Sequence, residues 1–259
     1  KKHSLLSKTG RVFLDLLGVG IIIPILAPLI LDPNANLVSF STLPSTRTIV
    51  LGCLIAAYPF AQFFGAPILG ALSDRHGRKK LLFLSLIGTC VGYILFAIGI
   101  MTQQLWLLVA GRLIDGFTGG NISIAQSAIA DVSTPETKAR NFGLIGMMFG
   151  LGFILGPFIG GKLADPSIVS WFNFSTPFYF AAGLSLLNIV LLMALFQETF
   201  TNRRNVPISV SVGFKNLLRA LKMEHARTMF LVIFLLVFGF NFFTQFFQVY
   251  LIGTFHFTH

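Results

Sequence analysis

A few polar residues are placed where they could do chemistry, inside long apolar runs of a 259-residue chain. Asp15 is an acid in an otherwise apolar stretch. A carboxylate in apolar surroundings is costly when charged, so such a group is poised to exchange a proton or to hold a cation. A second reading stands beside that one: Arg11 lies four residues earlier, and the two would form a hydrated i,i+4 ion pair at a surface. Arg112 and Asp115 are three apart and so share one helical face. Either they neutralise each other in a buried pair, or Arg112 modulates a nearby carboxylate while Asp115 titrates in its own right. Asn121 and Gln126 follow in the same run. They would line a cavity or hydrogen-bond a neighbouring helix. The motifs H-E-x-x-H and G-x-S-x-G do not occur, so neither metalloprotease nor hydrolase chemistry is supported, and no metal site is expected. The residues Gly156 to Lys162 fit G-x-x-x-x-G-K, but Leu163 stands where a phosphate loop needs Ser or Thr.

The elements that must position these groups follow from composition. Charged residues make up 11% of the chain and apolar ones 54%, where a soluble domain averages about 25% charged. There is too little polar surface to cover a soluble globule, and too much apolar content for disorder. A helix of roughly 20 apolar residues crosses a bilayer. Seven runs reach that length: 11–31, 48–72, 81–101, 105–130, 141–164, 177–196 and 228–251. The first run lacks a small-x-small cleavage pattern and does not read as a signal peptide. Cys53 and Cys90 lie inside such runs and offer no disulfide framework.

If the runs alternate across the membrane, all but three of the 19 Lys and Arg fall on one side. Lys1, Lys2, Lys8, Arg11, Arg75, Arg78, Lys79, Lys80, Lys138 and Arg140 are there, with six more between Arg203 and Arg227. Arg47 and Lys162 fall on the other side, and Arg112 lies within a run. The positive-inside rule then puts the amino terminus in the cytoplasm of a multi-pass protein of the cell membrane. The net charge of +10 is thus a topology signal, and a nucleic-acid partner is not expected.

The chain also repeats itself. Gly65–Asp74 reads GAPILGALSD and Gly156–Asp165 reads GPFIGGKLAD, with five of ten positions identical at an offset of 91 residues. That offset holds three spans, an odd number, so the two copies end on opposite faces. Inverted three-helix repeats are a transporter signature, because alternating access needs two units of similar shape.

The strongest motif runs from Gly70 to Lys80, through Asp74, Arg75, Gly77, Arg78 and Lys79. Its spacing, G-x-x-x-D-R-x-G-R-K, resembles the loop between helices two and three of the major facilitator superfamily. Asp15 to Pro24 is similar to the first helix of the drug:proton antiporters related to tetracycline-efflux proteins. Gly111-Arg112-Leu-Ile-Asp115-Gly116 resembles R-x-x-x-G in their fourth helix. Gly152, Gly156, Pro157, Gly160 and Gly161 match the G-x-x-x-G-P-x-x-G-G antiporter pattern of their fifth. Gly92 departs from the resemblance, since tetracycline pumps carry an acid just before the residue matching Tyr93. Asp115 departs too, standing where the pattern has a small neutral residue.

The resemblance implies an all-α bundle of two inverted three-helix repeats, with no enzymatic activity and no cofactor beyond a proton gradient as energy source. It also implies a latch in which Arg78 pairs with Asp131 and Asp74 meets a helix of a second half. The antiporter segment is implied to face that half. Such transporters have twelve helices, so the expected organisation is an amino-terminal bundle over 1–196, a linker over 197–227 and the first helix of an incomplete second half over 228–259. Within the linker, Phe214, Leu217, Leu218 and Leu221 share a helical face opposite bases, as in a helix lying on an anionic leaflet. The expected partners are the lipid bilayer, protons, a small-molecule substrate and the missing second half. The leading expectation is proton-coupled efflux of small organic or drug-like molecules. A metabolite symporter or facilitator, and a non-transporting sensor or partner subunit, are the alternatives.

Overall fold

Proline and glycine punctuate the chain at the places where helices begin and bend. In the computed structural model, which describes residues 2–32, 37–38, 43–198 and 212–255, every element is helical. Lys1, Arg203, Arg204 and most of the linker ahead of the amphipathic segment lie outside the described residues. The helices are α1 (Lys2–Leu31), α2 (Pro44–His76), α3 (Arg78–Met101), α4 (Leu105–Thr118), α5 (Asn121–Asp131), α6 (Pro135–Ala164), α7 (Thr176–Leu195), α8 (Val212–Lys222) and α9 (Glu224–Phe255). Helices α2, α6 and α7 each carry Pro in their first turn, where a missing N–H costs nothing. Thr134 and Thr137 form a capping box at the start of α6.

Six of the described helices (α1, α2, α3, α6, α7 and α9) are long and apolar enough to cross a membrane. The fourth apolar run corrects the sequence reading. It is not one helix over 105–130 but two, α4 and α5, interrupted at Gly119-Gly120. The interruption lets α2 come close: a methyl group on Gly120 would stand 2.8 Å from the Ala66 Cα. Carbonyls freed by a break inside a membrane need other donors. Gln62 of α2 donates to the Gly119 carbonyl at 3.0 Å, and Ser85 of α3 donates to that of Thr118.

The described residues form two compact units, 1–207 and 208–259. In the first, α1 is the most enclosed helix, with Ile21, Ile22, Ile25, Leu29 and Ile30 fully buried. Its last carbonyls are taken by Arg47, which donates to Ile30 O at 3.2 Å and Asp32 O at 3.3 Å. Phe96 of α3 stacks on Phe178 of α7, with centroids 4.2 Å apart.

The two copies of the repeated segment make equivalent contacts. A methyl group on Gly65 would stand 2.8 Å from the Phe117 Cα of α4, and one on Gly156 would stand 2.6 Å from the Gly20 Cα of α1. Each copy thus lays its second helix, backbone to backbone, on the first helix of the other. Gly70 and Gly161, the next matched pair, have open space at that point. In the second unit, α8 exposes Lys215, Arg219 and Lys222 as well as Phe214 and Leu218. The long α9 exposes a run of Phe side chains.

Candidate functional site

The break between α4 and α5 decides what surrounds the acid of α1. Asn121 is the first residue of α5, and its Nδ2 donates to Asp15 Oδ2 at 2.6 Å. The expected i,i+4 ion pair between Arg11 and Asp15 is not formed. The Arg11 guanidinium lies over the Phe196 ring instead, 4.5 Å from its centroid. Arg11 O accepts a hydrogen bond from Asn188 Nδ2 of α7 at 3.1 Å. Arg11, Asp15, Asn121 and Asn188 line one cavity, whose remaining walls include Leu82 and Leu86 of α3 and Leu192 and Phe196. Gln126, expected near this place, is half-buried on α5 and lies outside the cavity.

Arg112 and Asp115 share a helix but do not pair. The Arg112 guanidinium packs between aromatic rings, 5.4 Å from the Phe96 centroid and 5.9 Å from that of Tyr58. Its Nε has no hydrogen-bond partner. Asp115 is turned into the α3–α4 seam, where its exposure is 3%. Gly92 makes the room, since a methyl group there would stand 2.7 Å from the Asp115 Cβ. The acid and the base of one helical face thus meet different residues, Asp115 packing at Gly92 of α3 and Arg112 lying by the rings of Phe96 of α3 and Tyr58 of α2.

The loop motif folds tightly. Between α2 and α3 stands one residue, Gly77, at φ 101°, a backbone conformation that side chains disfavour. Arg78, exposed by only 6%, pairs with Asp74 at 2.6 Å and with Asp131 at 3.3 Å. Asp131 closes α5, so the guanidinium ties α2 to the second half of the broken helix. Arg75 is exposed, and Lys79 Nζ donates to Met193 O at 3.1 Å.

Glu198, just past α7, was not foreseen. Its two carboxylate oxygens accept from the backbone N–H groups of Arg78 at 2.9 Å and Lys79 at 3.1 Å, so it caps α3 from a position 120 residues later in the chain. Of the antiporter-type glycines, Gly152, Gly156 and Gly160 are the buried ones, and they meet α1 at Leu16, Gly20 and Ile21. Gly161 is exposed, and Pro157 lies within α6.

An acid on a broken-helix bundle, a basic-acidic turn and glycine seams between inverted repeats are features of transporter folds. The family model described as Major Facilitator Superfamily matches residues 12–259. The chain belongs to the Major Facilitator Superfamily. It is a multi-pass membrane protein of a transporter family, not of an enzyme family.

Among superfamily relatives, it is 38% identical over 207 residues to the class C tetracycline resistance protein of Escherichia coli, a match covering 80% of this chain and 48% of that protein. It is 32% identical over 189 residues to the quinolone resistance protein NorA of Staphylococcus aureus, covering 73% of this chain and 44% of that one. The chain thus spans about half the length of the curated relatives it matches. Among solved structures it is similar to the human organic anion transporter MFSD10 (TETRAN), with a TM-score of 0.72 at 23% identity, over 99% of this chain and 66% of that one. The proton:xylose symporter XylE gives a TM-score of 0.62 at 17% identity, over 76% of this chain and 45% of that one. Both likenesses concern the fold.

Proposed function

We propose that the protein works in a secondary transporter that exports small organic, drug-like molecules in exchange for protons, by alternating access. The observation that carries this reading is Asp15, a carboxylate within a membrane helix held by one amide at the start of a half-helix. A group so placed is costly to charge and gains from protonation when its surroundings dry, which is what a proton-coupled cycle requires. Asp115 and Arg112 supply a second acid and a base in the neighbouring seam. The resistance proteins among its relatives support efflux as the direction and drug-like compounds as the class. The second half of the translocation path would come from residues beyond the amino-terminal bundle, with 1–196 as that bundle, 197–227 as linker and 228–259 opening the other half. The concentration of Lys and Arg in one set of loops supports a cytoplasmic amino terminus. The test is the full-length protein in proteoliposomes under an imposed pH gradient, against a panel that includes tetracycline and a quinolone. Gradient-driven uptake of at least one compound is expected, with Asp15→Asn uncoupling it from protons. Proton-coupled transport that survives Asp15→Asn sinks the role of Asp15.

A further inference from the structure

Two residues lining the cavity between α1, α3, α5 and α7 carry hydrogen-bond acceptors that none of the described residues satisfies. Asn121 and Asn188 are exposed by only 4% and 3%, and both line it. Each amide donates one N–H, to Asp15 Oδ2 and to Arg11 O. Each Oδ1 is left without a partner. A buried acceptor without a donor costs about 1–3 kcal/mol. The Asp15 carboxylate is a third acceptor on the same wall. The cavity therefore calls for a ligand that donates several hydrogen bonds at once. An ammonium or a water would both do so. The Arg11 guanidinium on the wall disfavours a second cation and leaves water unaffected. The cavity is about 40 Å³, where roughly 10–15 Å³ suffices to hold one water.

The lining of the cavity includes both Asp15 and Phe196, which stands two residues before the Glu198 that caps α3 beside the Gly77 turn. We infer that this cavity holds ordered water that passes protons between Asp15 and the end of the bundle carrying the Gly77 turn, with Asn188 as the anchoring acceptor. The inference rests on Asp15 as the proton site. In the outward step, the carboxyl O–H bond of Asp15 breaks and the nearest water takes the proton. The water chain delivers one proton at the mouth, and the remaining carboxylate keeps the Asn121 N–H as its partner. Arg11 on its own helix lines the cavity with Asp15, and Asp115 and Arg112 of α4 with Tyr58 and Tyr93 form the ionisable cluster within reach of its charge. The lining residues of α3, α5 and α7 carry no charge. Protons and substrate would then use different routes, the proton within one bundle and the substrate between two halves.

Time-resolved infrared spectroscopy of the full-length protein after a light-triggered pH jump tests this, since protons are the only probe required. The Asp15 carboxyl band is identified by its loss in Asp15→Asn. Asn188→Leu is close in size but lacks the acceptor, and it should slow the decay of that band by about tenfold while keeping its amplitude. Leu86→Phe fills the cavity from α3 without touching a polar group and should slow it likewise. Asn188→Ser restores an acceptor and should decay within about twofold of the wild type. Wild-type decay in both Asn188→Leu and Leu86→Phe overturns the water path alone. The absence of any band removed by Asp15→Asn overturns Asp15 as the proton site.

Discussion

The most heavily used residue of the turn is Arg78, which carries two carboxylates and the Ser73 hydroxyl on one guanidinium. Removing the charge of Asp74 leaves Arg78 with Asp131 and weakens the tie between α2 and the turn. Asp74→Asn is thus expected to slow transport more than it weakens substrate binding, as read by initial rates against equilibrium binding. At Gly77 two penalties coincide, because an added methyl meets both a positive φ and the Glu198 carboxylate. Gly77→Ala should cost about 1–2 kcal/mol from the backbone alone. Combining it with Glu198→Ala should cost less than the two separate losses added together, in thermal melts in detergent. Strict additivity would show that the cap and the turn are independent. Asp15 was legible in the sequence because a charge inside an apolar run stands out, and the pairing of Arg78 with Asp131 was implied by the family resemblance. Asn188 and Glu198 were not. An amide in a greasy helix and an acid at a helix end have many uses, and only folding brings them to Arg11 and Arg78.

Helix ends and glycine spacing told which segments pack closely, but not against which partner. The glycines of α6 promised a close approach, implied to be toward another half, and in the bundle that approach is to α1. Gly156→Leu should therefore split α1 from α6, lowering both the melting temperature and the transport rate. Gly143→Leu and Gly150→Leu, where a Cβ meets nothing, should leave the melting temperature close to the wild type. Equal losses at all three positions would remove the special status of the α1 seam. The break at Gly119-Gly120 was missed for a physical reason. Both residues keep right-handed backbone angles, near −62° and −63° in φ, so the apolar run reads as continuous. At the break α2 packs close, and its Gln62 donates to the Gly119 carbonyl.

For the molecule as a whole, hydropathy located the spans and charge suggested their direction. A cysteine placed at Arg75, in the basic turn, and one at Ser167, beyond α6, should answer differently to an impermeant maleimide in cells made permeable or left intact. Ser167→Cys is expected to react in intact cells, and Arg75→Cys only after permeabilisation. The reverse pattern would turn the whole topology over. The natural Cys53 is exposed and would first be replaced.

The crossed seams also govern assembly. Gly20 of α1 waits for Gly156, which the ribosome delivers more than a hundred residues later, a delay of roughly ten seconds or longer at ordinary elongation speeds. Until then the first helix carries Asp15 and a bare glycine groove into the bilayer without the partner that covers them. Biogenesis of this bundle is therefore obligatorily late, and neither three-helix repeat can finish folding before its sibling has been made.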